Sequence, residues 1–207
     1  MQGQVFPTKG NLIAAKKSLD LSTLGFDLLD RKRNILVREL MLKVDDAKRL
    51  KQEIAETFER AYKALEQANI TLGVIEDAAE GVPVDNSVSI GYKSVMGVEI
   101  PTVETDGSLP RLSYGFTQTN SKLDYALFCF HEAKQMAAKL AEVENGVYRL
   151  ANAIAKTQKR ANALQNIMIP NLTETARFIT DALEEKEREE FSRMKVIKRQ
   201  KANKEAR

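Results

Sequence analysis

Tryptophan is absent, cysteine and histidine occur once each (Cys129 and His131), and aromatic residues supply only 6% of the 207 positions. A single cysteine excludes an internal disulfide and suits a reducing cytosol. A single imidazole excludes any nucleophile–histidine–acid set beyond that one ring. No apolar run approaches the roughly 20 residues that a membrane-spanning helix needs. The opening "MQGQVFPTKGN" lacks the apolar core of a signal peptide. The chain therefore reads as cytoplasmic, with no direct membrane insertion; any link to a membrane passes through partners.

What is abundant is Ala, Leu, Lys and Glu, with 43% hydrophobic residues overall. That mixture fits long helices and coiled coils better than a sheet-based core. Net charge is only +3 but is unevenly spread: the last stretch, "RMKVIKRQKANKEAR", has Glu205 as its only acid.

Three segments stand out: 1–81, 82–120 and 121–207. The first predicts a helix from the N-cap Thr8, after Pro7, to "AAEGVP", where Gly81 suits the C′ position and Pro83 blocks continuation. Its apolar series Ala47, Leu50, Ile54, Phe58, Ala61, Leu65, Ala68, Leu72, Ile75 steps by threes and fours, the seam of a coiled coil. Glu56/Arg60 and Glu59/Lys63 sit between seam positions at favourable i,i+4 spacing. Upstream, Leu12, Leu19, Leu21, Leu24, Leu28, Ile35 and Leu36 give a less regular stripe, weakened by Ser22, Thr23 and Gly25 and open to a bend.

The third segment predicts a helix starting near "TNSKLDYA", where Ser121 and Asp124 resemble a capping box. Its seam runs Ala126, Phe130, Ala133, Ala137, Leu140, Val143, Val147, Leu150, Ile154, Thr157, Ala161, Leu164, Met168, Leu172, Ala176, Ile179, Leu183. Each helical pattern corresponds to a length on the order of 100 Å, whereas a globule of this size has a radius of gyration of about 17 Å. The expectation is a mainly α fold: a long antiparallel two-helix coiled coil with a small β-hairpin region between the arms. The hairpin is expected in "VDNSVSIGYKSVMGVEIPTVETDG", at the far end of the rod, and needs the rod or a partner to lean on.

Pro170 interrupts the late helix in "RANALQNIMIPNL". An interior proline removes a hydrogen bond and collides with the preceding turn, at about 3 kcal/mol, so Pro170 predicts a kink or a restarted helix.

Chemistry-bearing motifs are sparse. Cys129 and His131 in "LFCFHEAK" are two ligand types on different helical faces, and two do not build a metal site. "GYKS" (Gly91 to Ser94) lacks the glycine pattern of a phosphate loop and reads instead as a hairpin turn. No catalytic residue, cofactor or metal is expected. The basic tail has three readings: a solvated helix end, a contact with an acidic protein surface, or a phosphate-binding patch. Met194 and Ile197 continue an apolar stripe among its charges.

Together, "PTKGNLIAAKKSL", "GFDLLDRKRNIL", "MGVEIPTV" and "KTQKRANALQNIMIPNLTETARFITDALEEKEREEFSRMKVIK" resemble the D subunit of the V-type (A/V-type) ATPases, over about Phe6 to Lys198. Before "NAL" the chain reads Lys159, Arg160, Ala161, where that family often has a basic run followed by Val. The resemblance implies a non-catalytic rotor shaft that couples ATP synthesis or hydrolysis to proton or sodium transport. It also implies its partners: the hexamer of A and B subunits around the two termini, the F subunit, and the subunit capping the membrane ring. On that basis Arg188, Arg193, Lys195, Lys198 and Arg199 are candidate contacts with the hexamer, and Pro170 is a candidate kink in the shaft. A coiled-coil scaffold outside any ATPase is the rival reading. The related shaft of F-type synthases has a larger central domain than residues 82–120 can form.

Overall fold

The computed structural model describes residues 6–75, 80, 82, 84, 86–106, 108–110, 112–115, 117 and 119–205. Helix α1 spans Lys9–Leu72, strands β1 and β2 span Ser89–Val95 and Val98–Glu104, and helix α2 spans Ser121–Ala163. A π-helical turn, Leu164–Met168, leads into helix α3, Ile169–Glu205. Two compact units result, one of residues 34–155 and one of 1–33 with 156–207. The first is the central unit and the second the terminal unit.

Local chemistry sets the helix ends. Thr8 Oγ1 accepts from the Asn11 amide at 3.2 Å, capping α1 as the sequence predicts. The other end comes earlier than predicted. Gly73, at φ +79°, donates its N–H to the Asn69 carbonyl and closes α1 after Leu72. Gly81 and Pro83 lie outside the described residues. At the start of α2 the cap is Asn120 rather than Ser121. Its Oδ1 accepts from the Lys122 and Leu123 amides at 3.1 and 3.2 Å, and its Nδ2 donates to Thr71 Oγ1 on α1. Asp124 is engaged by the Tyr114 hydroxyl at 2.7 Å.

In the central unit α1 and α2 run antiparallel: Lys51 pairs with Glu144, Thr57 meets Met136, and Arg60 pairs with Glu132. Arg60 thus reaches across to the other helix, while Glu59–Lys63 forms within α1 at 2.6 Å as its spacing predicts. The core is thin and built of small side chains. One cluster joins Ala61, Ala64, Ala126 and Cys129, and another Ala68, Tyr114 and Leu123. Alanine at the seam lets the two backbones approach closely. Thr57, buried among them, satisfies its hydroxyl on the Glu53 carbonyl at 2.8 Å.

The third cluster, Leu36, Leu150 and Ile100, seats the β-hairpin. The hairpin lies against the flanks of the helices near Leu40 and Ile154, not at the Leu72/Ser121 end where the order of the segments predicts it. The reason is apolar: Val95, Val98 and Ile100 need a surface, and the Leu36/Leu150 pair provides one. Gly146 makes the approach possible, since a Cβ there would stand 3.1 Å from Ile100 Cγ2 and 3.2 Å from Lys43 Cδ. Met96 (φ 50°) and Gly97 (φ 76°) form the two-residue turn, the conformation of a type I′ hairpin. "GYKS" therefore lies inside β1 rather than at the turn.

Candidate functional site

The terminal unit carries every site residue singled out from the sequence. Its seam, read inward along α1, is Leu12, Ala15, Leu19, Ser22, Phe26, Leu29 and Arg33, steps of three and four throughout. The predicted stripe is corrected here: Leu21, Leu24 and Leu28 point outward and are 61%, 57% and 57% exposed. Small or polar Ser22 and Gly25 take the inward places. A Cβ on Gly25 would sit 3.7 Å from Leu164, the first residue of the π turn. Thr23 stays helical by bonding back to the Leu19 carbonyl at 3.0 Å. The two arms are again antiparallel, with Lys9 paired to Glu187 and Arg33 donating to Gln158 at 2.8 Å. Gln158 in turn donates to Asn162, and Arg33 also holds Asp30 at 2.6 Å. A polar layer of this kind fixes register between helices.

The π turn answers the question raised by Pro170. The Ile169 amide donates to the Leu164 carbonyl, five residues back, so the turn is one residue wider than α. The widening falls where the Pro170 ring would otherwise meet the carbonyl one turn earlier. The inserted residue also rotates the helix beyond it. Met168, predicted on the seam, is 46% exposed, and half-buried Ile169 replaces it. Past the turn Leu172, Ala176, Ile179 and Leu183 resume the inward line. The sequence carries a trace of this: Leu164, Met168, Leu172 and Ala176 recur in consecutive fours, which an unbroken seam does not sustain.

From Glu184 to Lys201 every α3 side chain is exposed. Arg188, Lys195 and Arg199 recur at i, i+7 and i+11 and so share one stripe, with Arg193 and Lys198 on other faces. Arg188 is paired with Glu184 and Glu185, and Arg193 with Glu189. The Lys195 ammonium stands 4.9 Å over the Phe191 ring. Phe191, Met194, Val196 and Ile197 are all more than half exposed. Phe191, Met194 and Ile197 recur every third residue along one side of the helix, with Val196 on another. Periodicity alone misassigns Leu21, Leu24 and Leu28 and passes over Phe191 and Val196, while Met194 and Ile197 are the two tail residues that the sequence reading names.

In the central unit Cys129 is buried at the seam, while the His131 ring meets Gln135 at 2.9 Å on another face. Among the described residues no three His, Cys, Asp or Glu side chains come together in a way that would hold a metal, and no helix is long and apolar enough to cross a membrane.

Antiparallel helix pairs with small-residue seams, a β-hairpin seated on the flank of one pair, and a charged, apolar-studded helix end define a coiled-coil protein. Comparison with known proteins makes the assignment specific. The family model for the ATP synthase D subunit matches residues 11–199. The D subunit of the V-type ATP synthase of Thermotoga neapolitana is 45% identical over 196 residues, covering 94% of this chain and 97% of its own. The D subunit of the A-type ATP synthase of Thermococcus kodakarensis is 36% identical over 199 residues, covering 94% and 93%. That of Methanopyrus kandleri is 35% identical over 199 residues, covering 94% and 85%. The chain belongs to the family of ATP synthase D subunits.

Proposed function

We propose that this chain is the central rotor shaft of a V/A-type ATP synthase, peripheral to the membrane on its cytoplasmic side. It makes no catalytic contribution itself and couples nucleotide chemistry in the A/B hexamer to ion transport. The observation that carries this reading is the match to the D-subunit family over residues 11–199, on a chain whose terminal unit leaves both charge and apolar surface uncovered.

A ring of three equivalent sites becomes unequal only if something asymmetric at its centre contacts each site differently. Each orientation must favour different nucleotide states through different contact free energies. The terminal unit has that asymmetry. Leucines 21, 24 and 28 line one outer face of α1, the Arg188/Lys195/Arg199 stripe lies on α3, and the π turn before Pro170 re-aims everything beyond it. These surfaces meet the A and B subunits. The central unit serves the F subunit and the subunit that caps the membrane ring.

Neutralising Arg188, Arg193, Lys195, Lys198 and Arg199 to Gln in the assembled complex tests the contact. ATP-driven ion pumping per ATP hydrolysed should fall severalfold. An unchanged ratio removes the tail from the coupling mechanism. A scaffold outside any ATPase predicts that the chain never co-purifies with A, B and F subunits.

A further inference from the structure

The two edges of the β-hairpin are treated differently. In a two-residue hairpin Val95 and Val98 exchange both hydrogen bonds, so Lys93/Ile100 and Gly91/Thr102 do the same. The N–H and C=O groups of Ile90, Tyr92 and Ser94 then point outward from β1, and those of Glu99, Pro101 and Val103 outward from β2. The β2 edge is partly covered. The Val103 amide donates to Glu142 at 2.9 Å, Pro101 has no N–H to offer, and the Glu99 carbonyl accepts from Arg149 at 3.1 Å. Along β1 no backbone partner meets the outward groups of Ile90, Tyr92 or Ser94 among the described residues. The Ile90 and Tyr92 side chains beside that edge are 62% and 63% exposed. Open edges are usually blunted by proline, charge or cover. Here β2 carries the proline and the cover, while β1 carries one lysine, Lys93, and the Arg149 guanidinium 5.5 Å over the Tyr92 ring, with its outward backbone groups left open.

We infer that β1 is a docking edge for an extended, acidic segment of another subunit, which adds as a third strand through the outward groups of Ile90, Tyr92 and Ser94. This rests on the reading of the chain as a subunit of an ATP synthase. The acidic character follows from Lys93, the only charge on β1, which is exposed and has no ion-pair partner among the described residues. A carboxylate opposite it on the added strand completes a cross-strand pair. The same lysine argues against a second copy of this chain. The antiparallel two-fold registers that use both Tyr92 and Ser94 set two Lys93 side chains opposite or diagonal on one face, which is repulsive. Strand addition also needs only backbone groups and two apolar side chains, which is what the edge presents.

Hydrogen–deuterium exchange on the full chain, alone and in the purified complex, tests this. Alone, the Ile90, Tyr92 and Ser94 amides exchange freely while Lys93 and Val103 are protected. In the complex the three outward amides slow by at least about tenfold. Ser94→Pro removes only an outward N–H, so it keeps Lys93 and Val103 protected but weakens the slowing at Tyr92 and Ile90. Lys93→Glu lowers the slowing further at low salt than at high salt. A complex that contains the chain yet leaves the three amides as fast as in isolation overturns the inference. So does an isolated chain that is a dimer by light scattering with those amides already slow. Failure to enter the complex at all is a different result, and it brings down the subunit reading along with the docking edge.

Discussion

The central and terminal units are built from the same kind of helix pair, yet they finish their surfaces differently. The central unit gathers three buried clusters, a docked hairpin and Tyr114 tied to Asp124, and still exposes Leu42, Ile70 and the Ile90/Tyr92 edge. The terminal unit has scattered buried residues instead, Thr157, Ala161, Ala176 and Ile179 among those described, with Leu21, Leu24 and Leu28 in a row on the outside of α1. Folding alone does not explain that second pattern. On the proposed function, that row of leucines is a contact surface for a further subunit.

The sharpest way to break this contrast is a pair of variants. Leu36→Ala in the central unit empties a fully buried site and should lower unfolding stability by about 3 kcal/mol in urea titration. Leu21→Ser with Leu24→Ser and Leu28→Ser removes three leucines, yet each should cost no more than about 0.5 kcal/mol. The triple variant should instead reduce coupled pumping in the assembled complex. A large stability loss with normal coupling would mean those leucines serve the fold.

Next in size, Gly146→Val drives a side chain into Ile100 and should destabilise by about 2 kcal/mol. The loss should appear first as faster exchange of the Val98 and Ile100 amides, with the seam amides of α1 unaffected. Met96→Asn works the other way. Its left-handed backbone is costly for Met and ordinary for Asn, so hairpin stability should rise by about 1 kcal/mol, read as slower exchange at Lys93.

The smallest effect is one of pH. Burial, then the hydrogen bond to Asp124, pushes the Tyr114 hydroxyl well above the usual tyrosine range. The folded state keeps a proton that the unfolded chain releases above about pH 10. The stability this provides is complete below that pH and is lost as pH rises beyond it. Tyr114→Phe should flatten the alkaline limb of the stability curve relative to the parent chain.

Much of this is legible in the sequence. The seam from Ala47 to Leu72 and the one from Ala126 to Ile154 lie inward as their spacing predicts, because period carries the information where both faces are unambiguous. Period fails at Leu21, Leu24 and Leu28, where the outward face is as apolar as the inward one. The hairpin is legible as strands but not in its position, since nothing local encodes that Ile100 meets Leu36 and Leu150. Pro170 announces an irregularity without its form. The π turn becomes visible only in the structure, where Ile169 replaces Met168 on the seam. In the tail the charges are plain from composition, but the Arg188/Glu184 and Arg193/Glu189 pairs that already occupy two of them are not.

The central claim is that this subunit turns as a shaft. A bead attached through Ser108→Cys, on an A/B hexamer fixed to glass and supplied with ATP, measures it. The account predicts unidirectional rotation in three equal steps per turn, slowed when the five tail cations are neutralised. A hexamer that hydrolyses ATP while the bead on this chain stands still would contradict it.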